Sequence, residues 1–417
     1  MHLELLTIGN ELLLGQTVDT NGAELARALG AIGVRVVRRT TVGDDYGAIQ
    51  QAVRDALGRT GAVLTTGGLG PTRDDISKHA VADLAGLPLE FRDEVWNQVL
   101  ERYRRFNRVP AESNRSQAEV PRGAVALHNR WGTAPGLWIE VPDPEQGLII
   151  MLPGVPSEMR KLLEHEVLPR LAARAEGLVV RSRMLRTTGV PESTLAEAIG
   201  NIEAEIRPLT LAYLPSVDGV DLRITAWGLA GPDADVQLHM AIDAIRARVP
   251  AAIYGEDETD LAAVVLARAR ERGLTITTAE SCTGGLVGAR LTAIPGASDV
   301  YLGGVVAYAN ALKEGALDVP AELIAAHGAV SEEVARAMAE GARRRFGAGL
   351  AVSVTGIAGP DGGTPDKPVG SVWIATAESD GTLAAGHRFG GDRNEVRARS
   401  AQAALWLLAR RLESRWP

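Results

Sequence analysis

The sequence predicts an α/β protein: a mainly parallel sheet with helices on both faces, a small α+β module, and a second α/β region. Three observations carry this. Short apolar runs alternate with helix-period patterns over roughly the first 170 residues and again over roughly the last 160. Between them, from about Gly177 to Pro250, the spacing changes. The acidic run Glu256-Asp257-Glu258-Thr259-Asp260 then marks a boundary and a helix start. The expected domains are residues 1–172, 173–253 and 254–417, about three for a chain of 417 residues.

The elements follow in order. Leu3–Ile8 reads as a strand and Asn21–Ile32 as a helix capped by Asp19 or Thr20. Val34–Val37 is a strand. Asp44–Leu57 is a helix opening on two acids, where the helix dipole favours them. Ala62–Thr66 is a strand running into a glycine-rich loop. Helices are expected at Ile76–Ala85 and Arg92–Phe106, and an apolar strand at Leu148–Leu152. In the middle module Arg181–Thr187 and Leu222–Ala226 are strands, Glu192–Glu205 and Ala234–Ala247 helices. Leu261–Glu271, Glu332–Phe346 and Glu395–Glu413 are helices of the last region, with one more ending near Ala293. Leu274–Thr278, Gly303–Tyr308 and Leu350–Thr355 are its strands, and Val369–Ala377 with Leu383–Phe389 its hairpin. Strands alternating with helices imply parallel pairing and helices on both faces.

Composition narrows the function. The chain is 46% hydrophobic and 23% charged, which excludes disordered and fibrous classes. Basic minus acidic residues is 44 − 52 = −8, the wrong sign for a dedicated nucleic-acid binder. Cys282 is the single cysteine, so no internal disulfide forms. Met1-His2-Leu3-Glu4 has no basic segment, and no apolar run approaches about 18 residues, so a cytoplasmic chain without a membrane span is expected. No histidines pair at zinc-ligand spacing. Only four of the 44 basic residues are lysines, at positions 78, 161, 313 and 367. Lysine, unlike arginine, can give up its proton, so each is a candidate base.

Thr65-Thr66-Gly67-Gly68-Leu69-Gly70-Pro71-Thr72-Arg73-Asp74-Asp75 is the most informative stretch of the first region. Glycines after a strand let backbone N–H groups cradle an anion. Asp74 and Asp75 either bridge a divalent cation to that anion or cap the next helix. Gly9-Asn10-Glu11, Asp19-Thr20-Asn21, Asp44-Asp45, Gly132–Gly136 and Pro153-Gly154-Val155-Pro156 are loops expected on the same rim of a parallel sheet.

In the last region Thr278-Ala279-Glu280-Ser281-Cys282-Thr283-Gly284-Gly285-Leu286 is another strand, glycine turn and helix. Ser281 either caps that helix or contacts a ligand. Cys282 is expected to be a small buried residue rather than a nucleophile. Pro295-Gly296-Ala297-Ser298, Tyr308 and Lys313 then place a hydroxyl, a phenol and a lysine on a loop, a strand end and the following turn. A neutral lysine can deprotonate a serine, and a tyrosine can steady the proton. Arg393 and Arg397 open the last helix against its dipole preference, which makes sense if they face an anion.

These motifs resemble the CinA (competence/damage-inducible protein A) family. The N-terminal likeness is carried by Thr7–Leu13, Gly15–Asn21, Thr65–Asp75, Asn114-Arg115-Ser116-Gln117-Ala118, Gly132–Gly136 and Pro153–Met159. It extends to the molybdopterin-binding fold of MoaB/MogA proteins. The resemblance implies metal-dependent hydrolysis of ADP-ribose, with a divalent metal on Asp75 and Asp44 and substrate held by Thr66, Gly67, Gly68, Asn21 and Asn114. Residues 255–417 resemble the CinA C-terminal domain and its stand-alone form, the nicotinamide-nucleotide amidase PncC. This implies deamidation of nicotinamide mononucleotide without a cofactor. Ser298 would be the nucleophile, Lys313 the base and Tyr308 its assistant. Ser281, Thr283, Gly284, Gly285, Thr355, Gly356, Arg393 and Arg397 would line the substrate site. The middle module resembles the family's KH-like domain. Its Gly228-Leu229-Ala230-Gly231 carries no basic residue, so a spacer or dimerisation role is expected rather than RNA binding. A homodimer is implied. The competing readings are a molybdopterin-handling transferase and a non-catalytic adaptor in DNA uptake or repair.

Overall fold

The computed structural model describes residues 1–142, 147–174 and 178–413, so the expected start of the middle module at Gly177 lies outside the described residues. The chain divides into two compact units: residues 1–181 with 226–237, and residues 182–225 with 238–417.

In the first unit six strands form one sheet, in the order Arg35–Val42, His2–Ile8, Ala62–Thr66, Gly147–Leu152, Gly136–Val141, Val125–Leu127. The first four are parallel and the last two join antiparallel, as the alternation of strands and helices predicts. Alternate side chains of each strand enter two separate cores: Leu6, Ile8 and Val63 on one face, Leu3, Leu5 and Leu64 on the other. Asp19 and Asp45 cap helices Thr20–Ala31 and Tyr46–Thr60, their carboxylates accepting from Gly22 N and Ala48 N. Gly136–Val141 was not among the expected strands. It is antiparallel and buried on both faces, so it has no alternation to reveal it.

Thr210–Pro215, Val220–Ala230, Leu178–Thr187 and Ile253–Glu256 form a four-stranded sheet, with Thr210–Pro215 antiparallel to Val220 onward. The expected single helix Glu192–Glu205 is two, Glu192–Ile199 and Ile202–Glu205, broken at Gly200, whose φ of 64° leaves the helix.

The sheet of the second unit runs Tyr301–Val306, Ile276–Glu280, Leu350–Gly356, Ser371–Glu378, Gly381–Arg388. The first three are parallel and the hairpin is antiparallel. One face packs Ile276, Val352 and Val354 against the helices Leu261–Glu271 and Arg393–Leu412. The other packs Ala279, Ala351 and Ala375 against Glu332–Phe346, whose Ala335, Met338, Ala339 and Ala342 are buried. Parallel strands bring Glu280, Val306 and Gly356 to one rim, and the loops that follow them build the site there.

Candidate active sites

Two clusters of polar residues sit on the strand-end rims, one in each unit. In the second unit, Lys313 lies on helix Asn310–Leu317 rather than on a turn, and is 1% exposed. Its Nζ donates to Ala307 O at 2.9 Å, to Tyr308 O at 3.2 Å and to Ser281 Oγ at 3.2 Å. Burial lowers its pKa from the usual lysine range, and among the described residues no carboxylate pairs with it to hold the proton.

Ser281 does not cap the helix after it. Gly285 occupies that position, and the side chain that bonds the helix start is Glu280, not the serine. The serine N–H is fixed on Val354 O at 2.9 Å, and its hydroxyl faces Lys313. Glu280, also 1% exposed, accepts from Val287 N at 3.0 Å and Gly288 N at 2.9 Å, pinning the turn between them. Gly284 and Gly285 have φ of 62° and 92°, which lets the chain turn back with Gly284 N on Ser281 O at 3.0 Å. Cys282 is buried and its thiol is pushed up to about 11 by desolvation, so it is an inert packing residue.

The structure does not bring Ser298 to Lys313. Ser298 sits in a short 3-10 turn, Ala297–Asp299, before the strand Tyr301–Val306, whereas Tyr308 and Lys313 follow that strand. At about 3.3 Å per residue the strand sets Ser298 on the opposite rim, roughly 20 Å away. The expectation of Ser298 as the partner of Lys313 is corrected to Ser281.

The other residues expected around this site divide. Arg393 donates to the Tyr308 hydroxyl at 2.8 Å and to Gly359 O at 2.6 Å, and Arg397 to Thr283 O at 3.0 Å. Among the described residues neither guanidinium pairs with a carboxylate, so both keep charge for an anion. Thr283 Oγ1 is buried without a partner among the described residues. Thr355 is buried and spends its hydroxyl on Ala329 O at 2.7 Å. A Cβ on Gly356 would stand 2.6 Å from Val372 Cγ2 and 3.0 Å from Ser371 O, so this glycine lets the hairpin strand pack against it.

In the first unit a cavity of about 370 Å³ is walled by Gly67, Gly68, Gly70, Asp44, Asp74 and Asp75, with Glu11, Gln117, Thr133 and Glu158 also lining it. Gly67 and Gly68 have φ of 111° and 68°, and a Cβ on either would strike Ile8 O or Ser77 Oγ. Asp74 and Asp75 do not cap the next helix. The Thr72 hydroxyl stands 2.5 Å from an oxygen of each and donates its one proton to either, and Thr72 N donates to Asp75 at 2.9 Å. Asp44 accepts from Asn10 N at 3.0 Å. Thr66 and Asn21 line a neighbouring cleft, where Asn21 Nδ2 donates to Gly154 O at 2.8 Å and Thr66 Oγ1 to Pro153 O at 2.9 Å.

Asn114 does not line the cavity. It is 3% exposed and spends its amide on Ala111 N, Tyr103 and Gln117. Gln117, bonded to Thr133 at 3.2 Å, is the residue of that motif that reaches the wall. Glu158, to which the sequence assigns no role, lines the cavity, and Lys78, one of the four lysines, feels the charge of Asp75. Glu158 accepts from Asn129 Nδ2 at 2.6 Å, and burial raises its pKa. Lys78, 8% exposed, donates to Ser116 O, and burial brings its pKa down to about 8.

A buried serine–lysine pair on an α/β sheet and a glycine-turned, carboxylate-lined cavity on a second one define a two-centre α/β chain. Comparison with known proteins places it. The probable molybdopterin binding domain matches residues 4–173, the damage-inducible protein CinA KH domain residues 182–255, and the CinA C-terminal domain residues 258–412. A CinA-like protein of Gemmatimonas aurantiaca is 52% identical over 413 residues, spanning 98% of this chain and 96% of its own. A CinA-like protein of Anaeromyxobacter sp. is 44% identical, spanning 98% of each chain. The crystal structure of competence/damage inducible protein CihA from Agrobacterium tumefaciens is 44% identical over 35% of this chain and 89% of its own, with a TM-score of 0.34. The chain belongs to the CinA family.

Proposed function

We propose that the second unit is a serine amidohydrolase that converts nicotinamide mononucleotide to nicotinate mononucleotide and ammonia, and that the first hydrolyses ADP-ribose at its pyrophosphate. The observation that carries the amidase reading is the 3.2 Å contact between Ser281 Oγ and a buried, carboxylate-free Lys313 Nζ.

In this reading neutral Lys313 takes the Ser281 proton as Oγ attacks the carboxamide carbon. Of the backbone N–H groups of the turn, those of Ser281 and Gly284 are taken by Val354 O and Ser281 O, so the donors to the developing oxyanion would be among Cys282, Thr283 and Gly285. The lysine ammonium returns the proton to the leaving nitrogen, ammonia departs, and an acyl-serine remains. Lys313 then takes a proton from water, whose oxygen attacks the acyl carbon, and hands it to Ser281 Oγ as nicotinate mononucleotide leaves. Arg393 and Arg397 hold the substrate phosphate, and Arg393 also fixes the Tyr308 hydroxyl. No cofactor is needed for these steps.

In the first unit Gly67 and Gly68 cradle the phosphates. Among the described residues no three Asp, Glu, His or Cys side chains cluster as a self-sufficient metal site. Two hard carboxylates on the wall of a phosphate cavity suit a divalent ion that arrives with its substrate, because such ions take one or two carboxylates plus phosphate oxygens. Asp44 and Asp75 would hold it, and it would neutralise charge on the bridging oxygens.

The reading takes the chain as cytoplasmic and homodimeric, with nicotinamide mononucleotide and ADP-ribose as its small-molecule partners and no nucleic acid. A net charge of −8 supports the last point, and no helix among the described residues is long and apolar enough to cross a membrane. The test is a pair of assays on the purified chain: ammonia from nicotinamide mononucleotide and AMP from ADP-ribose. Both products support the reading. Absence of ammonia removes the amidase, and absence of AMP removes the pyrophosphatase.

A further inference from the structure

The second unit holds a cavity of about 530 Å³ that contains none of the residues given a role above. That is the size of a small-molecule pocket. Phe389, just past the edge strand Gly381–Arg388, and Ala403, Trp406 and Leu407 of helix Arg393–Leu412 give it apolar walls. Val190 and Val217 line it from the loops around Gly189 and Gly219. Arg399 and Gln402 share the helix face of Ala403 and Trp406, at three- and four-residue spacing. Arg397 precedes Arg399 by two residues, about 200° around the helix, so the cavity and the Ser281–Lys313 site lie on different sides of it.

The cavity is built on fixed parts. Gln402, 3% exposed, accepts from Arg290 Nη1 at 2.6 Å and donates to Thr188 Oγ1 at 3.3 Å. Thr188 Oγ1 in turn donates to Asp218 O at 2.7 Å. A Cβ on Gly189 would stand 2.9 Å from Trp406 Nε1, so only glycine lets that loop close on the indole. The His387 and Phe389 rings lie parallel, with centroids 5.3 Å apart and planes 9° from parallel.

Its polar groups are not satisfied from within. Arg399 Nε and His387 Nε2 are buried with no hydrogen-bond partner among the described residues. No carboxylate among those residues pairs with the Arg399 guanidinium. Two carboxylates do line the cavity. Asp218 stands 3.5 Å from Arg290, and Glu192 is exposed on the first turn of helix Glu192–Ile199. A guanidinium held against apolar surface without a counter-charge is costly, and a ligand carboxylate removes that cost through two parallel N–H···O bonds.

We propose that this cavity binds an aromatic carboxylic acid, its ring against Phe389 and Trp406 and its carboxylate on Arg399. The site is separate from both reaction centres and does not depend on either reaction.

The test is calorimetry on the full-length chain with naphthylacetate and its uncharged counterpart, naphthylacetamide. The acid is expected to bind about tenfold tighter or more, the effect of a charge-assisted hydrogen bond. Arg399→Gln should bring the acid down to the level of the amide. Ala403→Trp, which fills the cavity from its wall, should abolish binding of both, and a thermal melt shows that each variant is folded. Acid binding that survives Ala403→Trp, or that keeps its advantage over the amide in Arg399→Gln, overturns the proposal. Equal binding of acid and amide to the wild type, or binding of neither, overturns it as well.

Discussion

Lys313 Nζ stands 3.2 Å from Ser281 Oγ, inside a pocket where two backbone carbonyls take its other hydrogen bonds. Carbonyls stabilise an ammonium less than a carboxylate does, and burial disfavours it outright, so the lysine is poised to act as a base.

The first prediction is a pH profile. With its pKa lowered by burial, Lys313 loses its proton below the ordinary lysine range. Amidase kcat/KM should therefore rise with pH along a limb whose midpoint lies below that of an exposed lysine. Lys313→Arg should be inactive across the whole range, because arginine keeps its proton. An active Lys313→Arg enzyme would remove the lysine as base.

Arg393 and Arg397 should act on the phosphate and not on the amide. Arg397→Ala is expected to raise KM for nicotinamide mononucleotide about tenfold or more, the size of a lost charge-assisted hydrogen bond. Hydrolysis of nicotinamide riboside, which has no phosphate, should be nearly unchanged. Equal losses on both substrates would mean that the arginine only shapes the turn through Thr283 O.

Metal removal should separate the two centres. EDTA is expected to stop AMP formation from ADP-ribose, with Mg²⁺ or Mn²⁺ restoring it, and to leave ammonia release untouched. Asp75→Asn should lower the first activity and spare the second. Ammonia release that also falls with EDTA would contradict the assignment of roles.

Lys78 should show in stability. Its pKa is about 8 in the folded chain against 10.5 for an ordinary lysine. Between those values the unfolded chain binds more protons, so stability should rise with pH across that window. Below pH 8 both states are protonated and the burial cost is fully present, up to about 3 kcal/mol at about 1.4 kcal/mol per unit. Denaturation of Lys78→Met beside wild type from pH 7 to 10.5 checks this. The difference between the two should narrow as pH rises, and a constant difference would contradict it.

Several elements were legible because local signals agreed. Leu261–Glu271 and Glu332–Phe346 fall where expected: Asp260 and Ser331 cap their starts, and Gly347 in a left-handed conformation ends the second. Ala62–Thr66 is framed by Gly61 and the glycine turn. Asn310–Leu317 was missed: it is eight residues long and follows a strand without a capping side chain. That omission bears on the site. With Lys313 read on a turn, Ser298 is its partner only by the family resemblance of its motif. Only the sheet shows that a strand carries the chain from one rim to the other, and that Ser281 and Lys313, 32 residues apart, end on the same one. Asn114 was misjudged for a related reason: its motif does reach the cavity, but through Gln117, three residues on.

Ser281, not Ser298, is the nucleophile that we propose Lys313 activates. Ammonia release from nicotinamide mononucleotide by wild type, Ser281→Ala and Ser298→Ala measures it directly. The account predicts that Ser281→Ala loses at least about a thousandfold in rate, as removal of a covalent nucleophile does, while Ser298→Ala keeps nearly all of it. Full activity in Ser281→Ala, or loss confined to Ser298→Ala, would contradict it.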